Sequence, residues 1–241
     1  MFDLGHTLVG LNFAEEIVYQ TCDDVRRYLS SLALERTPST EQLVRDVRRR
    51  VGEAIDESYR AGSLEELEMP RLFDEALQSI GLHLPPEVVD EVTMREHVAL
   101  TRAMVVANDT PLVLGRLKEL GLKLGLVSNV TNLPELMRRD LKDFGLLDYF
   151  DATVFSSEVG LRKPHPRIYY ACLDALGVEA RKAVFIGDRV REDVLGPQSL
   201  GMQALLTHQY RQEEPDGIAR PARIVNRLAD MIEFVEVLGS A

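Results

Sequence analysis

The 241-residue chain has no tryptophan, two cysteines and five lysines, none of them before Lys118. No apolar run approaches the roughly 18 residues of a membrane-spanning helix, and no basic start followed by an apolar run marks a signal peptide. Each scarcity excludes something. Cys22 and Cys172 lie far apart with no Cys-x-x-Cys pair and no histidine cluster, which argues against a disulfide framework and a zinc site and leaves two buried free thiols. A formal net charge of −11 provides no basic surface for nucleic acid or anionic lipid. A phosphorylated ligand would have to be met by a local positive cluster, which favours a small phosphorylated metabolite over a polymer. The expectation is a cytoplasmic protein without membrane or nucleic-acid partners. Against these absences, 45% hydrophobic composition is ordinary for a soluble globular chain, and the length suits one large domain or a core with a smaller insertion.

Two rhythms divide the chain. From Phe13 to about Met104 apolar residues recur at helical spacing, as in Ile17, Cys22, Val25 and Leu29, and strand candidates are few. Ser39-Thr40-Glu41-Gln42 has the form of a capping box, and breaks at Gly62-Ser63 and Pro85-Pro86 give about four helices. After Pro111 short apolar runs alternate with amphipathic stretches, the pattern of a parallel sheet covered on both faces. The predicted strands are Leu124–Val127, Ala152–Phe155, Val184–Ile186, Ala204–Leu206 and Arg223–Val225, and residues 208–221 read as a polar loop. The expected fold class is therefore α/β: a Rossmann-like three-layer core, residues 1–11 and 105–241, with an inserted all-helical segment over residues 12–104.

Four short segments concentrate chemistry: Asp3-Leu4-Gly5-His6-Thr7, Val127-Ser128-Asn129, Arg162-Lys163-Pro164, and Gly187-Asp188 followed by Asp193. They offer a nucleophilic carboxylate, a hydroxyl donor, a cation and metal-binding carboxylates. Phosphoryl transfer to an aspartate needs all four. In a parallel sheet ligands gather at the carboxyl ends of strands, where Ser128 and Asp188 fall. Arg162 and His165 beside the lysine read as loop residues. The arginines Arg45, Arg48, Arg49, Arg50 and Arg60 read as a solvated helix face, one or two of them within reach of an acidic substrate.

In this order, with Gly201-Met202 trailing, the segments resemble the four motifs of the haloacid dehalogenase-like hydrolase superfamily, and the helical insertion resembles its C1-type cap. The resemblance implies that Asp3 attacks phosphorus and becomes an aspartyl-phosphate. It implies that Ser128, the Asn129 amide and Lys163 hold the phosphoryl group. Mg²⁺ would be held by Asp3, by the Gly5 main-chain carbonyl, by Asp188 directly, and by Asp193 through water or through its orientation of Lys163.

Two departures stand out. Gly5 occupies the place of the family's acid–base aspartate and His6 that of the following glycine, so His6 becomes a candidate for proton transfer or substrate contact. Only Met1 and Phe2 precede Asp3, where the family has a full strand; the expectation is a start lying upstream, the other reading a severely shortened central strand. The leading function is Mg²⁺-dependent hydrolysis of a small phosphomonoester. Dehalogenation of a 2-haloacid, phosphonoacetaldehyde cleavage (for which the helical segment lacks a Schiff-base lysine) and a phosphate-binding protein impaired by Gly5 are the alternatives.

Overall fold

The computed structural model describes residues 1–11, 14–215, 217 and 219–239. Its sheet half holds the parallel strands β3 (Gly125–Ser128), β4 (Ala152–Phe155), β5 (Val184–Gly187), β6 (Gln203–Thr207) and β7 (Arg223–Val225). All five predicted strands are present within a residue or two. Residues 1–3 lie between β3 and β5: Phe2 bridges Leu126 and Ile186 in parallel, Asp3 N donates to Ile186 O at 2.9 Å, and Val127 N donates to Phe2 O at 2.8 Å. The order across the sheet is therefore β4, β3, residues 1–3, β5, β6, β7.

The strands bury both faces, and their side chains alternate accordingly. Phe2, Leu126, Phe155, Ile186 and Leu205 face a cluster with Leu114, Leu117, Leu141 and Met231, from α6 (Thr110–Glu119), α7 (Pro134–Asp143) and α11 (Met231–Gly239). Met1, Val127, Val154 and Phe185 face Ile168, Tyr169, Cys172 and Leu173 of α9 (Pro166–Leu176) on the other side. Short helices α8 (Ser156–Val159) and α10 (Gly196–Ser199) complete this half. Proline in the first turn opens α6, α7 and α9, where its missing N–H costs nothing. Cys22 and Cys172 are both free and buried.

The helical block has a core of its own. Cys22, Val25 and Leu29 of α1 (Glu15–Ser31) pack with residues of the continuous helical stretch 40–60, α4 (Met69–Ser79) and α5 (Pro86–Thr101). That stretch runs through α2 (Thr40–Gln42), a wide π-type turn (Leu43–Arg48) and α3 (Arg49–Arg60). Ser39 Oγ accepts from Gln42 N at 3.2 Å, one half of the predicted capping box, while the Gln42 side-chain oxygen accepts from Arg36 instead of reaching back. The breaks fall where expected, with Gly62 at φ 71° just past α3 and Pro86 opening α5.

One element escaped the sequence reading. β1 (Val9–Leu11) and β2 (Met104–Val106) pair antiparallel where the chain enters and leaves the helical block, each too short to show alternation. A second tie joins block to sheet: Arg162 N donates to Leu64 O at 2.9 Å, Glu66 N to Gly160 O at 3.0 Å and Met69 N to Thr131 O at 3.1 Å.

Candidate active site

The parallel sheet brings three separate segments to one edge. Asp3 follows Phe2, Ser128 ends β3, and Asp188 follows β5, so all three project at the carboxyl ends of adjacent strands. Lys163 arrives from the loop before α9 and is buried. Its Nζ donates to Asp3 Oδ1 and to Asp193 Oδ1, both at 2.7 Å. Ser128 Oγ donates to Asp3 Oδ1 and Thr7 Oγ1 to Asp3 Oδ2, each at 3.3 Å. Asn129 uses its side chain to clamp the lysine's backbone, accepting from Lys163 N at 2.7 Å and donating to Lys163 O at 3.2 Å. The predicted nucleophile, hydroxyl and cation are thus gathered around one carboxylate.

Ligand atoms of Asp3, Asp188 and Asp193 lie within 4.8 Å of one another, all three residues buried. Burial, then the neighbouring charges of Asp3 and Asp193, push the Asp188 carboxyl up to about 7. Burial raises Asp193 to about 6 against the opposing pull of Lys163. For Lys163 burial acts downward, but Asp193 and Asp3 outweigh it and hold the ammonium above its usual range. Asp193 is fully engaged, since its second oxygen accepts from Arg189 N at 2.9 Å. Asp188 is not. Arg211 Nη2 stands 2.6 Å from Asp188 Oδ2, yet out of line for a hydrogen bond, and that oxygen has no aligned partner. A dense set of carboxylate oxygens, short of positive charge and with one oxygen unsatisfied, suits a hard divalent cation such as Mg²⁺. Gly187 makes the cluster possible, because a Cβ there would sit 2.2 Å from Asp193 Cγ.

The backbone explains the residues that depart from the family pattern. His6 has φ 57°, left-handed, where glycine is the unstrained choice. Its imidazole is held below its ordinary value by burial and by Arg211, with Asp3 opposing. A Cβ at Gly5 would meet only the tip of Leu11, at 3.2 Å, so space for a side chain exists at the price of a small Leu11 shift.

Arg162 falls in the loop before α9, as expected, but with partners that no local pattern signals. It is among the most deeply buried side chains of the protein, ion-paired with Glu66 at 3.2 Å, donating to Glu65 O at 2.7 Å and stacked 4.3 Å over the Tyr59 ring. The arginine beside the catalytic-type lysine therefore ties the helical block to that loop. His165 caps α9 by accepting from Arg167 N at 3.2 Å. The sequence reading also missed Thr7, Tyr59, Arg189 and Arg211. Thr7 and Arg189 lie within the motif segments, but Tyr59 and Arg211 reach the site only through tertiary packing.

Two cavities meet here. A small polar one of about 120 Å³ is lined by Asp3, His6, Lys163, Asp188 and Arg189. A larger one of about 340 Å³ runs between sheet and helical block. They share Gly5, Leu11, Tyr59, Ser128 and Asn129 as walls.

Comparison with known proteins agrees with this arrangement. The haloacid dehalogenase-like hydrolase model matches residues 1–201. The glyceraldehyde 3-phosphate phosphatase of Methanopyrus kandleri is 28% identical over 220 residues, 89% of this chain and 86% of the relative. The phosphoserine phosphatase of Thermus thermophilus is 32% identical over 150 residues, 61% of this chain and 57% of the relative. A HAD phosphatase from Thermococcus onnurineus superposes with a TM-score of 0.62 at 25% identity, covering 99% of this chain and 96% of the other. A 2-haloacid dehalogenase from Pseudomonas syringae pv. Tomato DC3000 reaches a TM-score of 0.68 at 20% identity over 98% and 97% of the two chains, a likeness of fold alone. With its motif residues collected at the carboxyl edge of one parallel sheet and the family match running from residue 1 to 201, this chain belongs to the haloacid dehalogenase-like hydrolases.

Proposed function

We propose that the protein is a Mg²⁺-dependent phosphomonoesterase acting through an aspartyl-phosphate on Asp3, with residues 12–104 as a cap over a core of residues 1–11 and 105–241. The observation that carries this reading is the environment of Asp3: a buried carboxylate held by Lys163 and Ser128, within 4.8 Å of two further carboxylates. An Asp3 oxygen bonds to phosphorus as the bond to the leaving oxygen breaks, and the departing alkoxide takes up a proton. Water then attacks the phosphorus of the acyl phosphate, releasing inorganic phosphate and restoring the carboxylate. Lys163 offsets charge on nucleophile and phosphate, and the Ser128 hydroxyl with the Asn129 amide donates to nonbridging oxygens. Asp3, Asp188 and the Gly5 carbonyl are the groups to hold Mg²⁺, which supplies positive charge against the phosphoryl oxygens when bound. Asp193 serves this set by orienting Lys163.

Relatives named as phosphatases of glyceraldehyde 3-phosphate, phosphoserine and phosphoglycolate support a small phosphorylated metabolite as substrate. A turnover screen across phosphorylated metabolites with Mg²⁺ tests the reading. Asp3→Asn should abolish turnover while leaving the melting temperature near wild type, and retained turnover in a pure Asp3→Asn sample would sink the covalent mechanism. The phosphate-binding reading rests on one observation, that Gly5 has no side chain to protonate the leaving oxygen. Haloacid chemistry would still use Asp193 to orient Lys163 but gives the buried Asp188 nothing to do.

A further inference from the structure

The larger cavity has largely apolar walls with a few polar groups set among them. Leu100, Met104, Met137, Leu141 and Phe144 make most of it apolar. Besides the residues shared with the small cavity, its polar lining includes Arg48 of the π-type turn and Glu96 of α5. Glu96 is buried; its Oε1 lies 2.7 Å from Arg48 Nε, out of line for a hydrogen bond. Its Oε2 is buried with no partner, and so is Asn132 Oδ1 on the same cavity. The neighbouring polar group behaves differently. Asp140 Oδ2 accepts from His97 Nε2 at 2.7 Å and from Thr101 Oγ1 at 3.2 Å, a set that needs nothing further. The unsatisfied groups facing this cavity are thus mainly acceptors, one of them on a carboxylate. Buried acceptors without donors are costly, and native structures rarely leave them so unless something else supplies the donor.

We infer that this cavity is the leaving-group subsite, built for the phosphate ester of an alcohol with an extended apolar body and a hydrogen-bond donor, hydroxyl or amino, placed to reach Glu96. The inference rests on the phosphatase reading. Size points the same way: about 340 Å³ lies in the range of small-molecule pockets, and a two- or three-carbon leaving group forfeits most of its dispersion contacts. A carboxylate in the donor's place would face Glu96, whose ionic partner among the described residues is Arg48.

The test is a series of hexyl phosphates ending in methyl, hydroxyl, ammonium or carboxylate, assayed with Mg²⁺, beside the same series as uncleavable phosphonates measured by calorimetry. A donor at the end should raise kcat/KM about tenfold or more over methyl, and carboxylate should fall about tenfold below methyl. The phosphonate affinities should follow the same order. In Glu96→Leu the ratio of hydroxyl to methyl should collapse towards one; should that variant not fold, the wild-type series decides alone. Turnover or phosphonate binding that is indifferent to the four ends, or that favours carboxylate, overturns the subsite and leaves the phosphatase reading standing. The expected phosphonate order without any turnover keeps the subsite and removes the phosphatase reading. Neither binding nor turnover of any member overturns both.

Discussion

The two adjoining cavities are built on opposite principles. Around Asp3 the charges answer one another, since Lys163 bridges Asp3 and Asp193, and Asp193 commits its second oxygen to a backbone amide. The groups come from strand ends and the loops after them, elements over-determined by the sheet. Across the Gly5 and Ser128 wall the larger cavity is apolar, and Glu96 is answered on one oxygen only. Its residues come from helices of both halves, from β1 and β2 and from the loop after β3. The difference teaches where rigidity is placed. The reacting edge has a fixed geometry independent of the leaving group, while the helical side can vary its lining without disturbing the reacting edge.

The largest effect should follow from breaking the first principle. Lys163→Met leaves Asp3 and Asp193 as buried carboxylates without a counter-charge, a change that ordinarily costs about 3–5 kcal/mol. We expect turnover to vanish and the urea midpoint to fall accordingly. Lys163→Arg should not rescue, because a planar fork cannot place one nitrogen on both carboxylates as Nζ does. A Lys163→Met protein as stable as wild type would show that the ion-pair frame is not what holds this edge together.

Next comes the position on the wall between the cavities. Gly5→Asp adds a side chain that displaces only the Leu11 tip, at 3.2 Å from the new Cβ. If acid–base catalysis is what the chain lacks, turnover of alkyl phosphates should rise by up to about 10²-fold or more. Nitrophenyl phosphate, whose leaving group departs unaided, should gain much less. His6 is a weaker source of that proton, since burial and Arg211, with Asp3 opposing, lower its imidazole and so favour the neutral form. His6→Ala should therefore lower the alkyl-to-nitrophenyl ratio less than Gly5→Asp raises it. A selective collapse of alkyl turnover in His6→Ala would reverse this assignment.

The metal ligands separate the two roles that carboxylates play at the reacting edge. Asp188→Ala removes an unsatisfied ligand oxygen, whereas Asp193→Ala releases Lys163 and acts one step removed. Loss of a supporting group typically costs about 10–100-fold in metal affinity. Calorimetric Mg²⁺ titrations should place Asp193→Ala in that range and Asp188→Ala below it in affinity. Equal affinities in both variants would reject the division.

Legibility in the sequence divides along the same line as the cavities. Asp3, Ser128, Lys163, Asp188 and Asp193 could be read because each sits at a fixed place after an apolar run or a glycine, so local pattern and site geometry coincide. The parallel strands were legible for the same reason, each a run of buried residues bounded by turns. Arg162 was read as a loop residue and no more, because its partners Glu66 and Tyr59 lie about a hundred residues away and carry no local signal. Arg211 sits in a loop that looks merely polar, although it ends beside Asp188. Glu96 occupies an ordinary helical position, and nothing in its neighbourhood distinguishes it from Glu91, which is only partly buried and pairs with Arg95. Only tertiary packing, which sets Glu96 beside Arg48 of the π-type turn, decides which of them is buried.

The smallest effect probes the larger cavity's unanswered carboxylate. Burial raises the Glu96 carboxyl above its ordinary value of 4.5, with Arg48 and then His97 opposing. A raised folded value means that the neutral form's contribution to stability is complete below the unfolded value, near pH 4.5, and is lost as pH rises through the folded value. Glu96→Gln does not titrate and still offers an oxygen to Arg48, which is partly exposed and can turn towards water. The stability of Glu96→Gln relative to wild type should therefore be lowest near pH 4.5 and climb as pH rises. The gain to expect at pH 8 is about 1 kcal/mol, or about 2–4 °C in melting temperature for a chain of this size. Melting curves of both proteins across this range measure it. A difference that stays flat with pH would mean that Arg48 fully answers Glu96, leaving no ionised acceptor for a donor on the leaving group to satisfy. A climbing difference would mean that the fold carries a carboxylate it would be more stable without. Adding a hydroxyl-terminated hexyl phosphonate should then stabilise the wild type more than Glu96→Gln at the high-pH end, where the carboxylate is ionised and the donor has most to relieve.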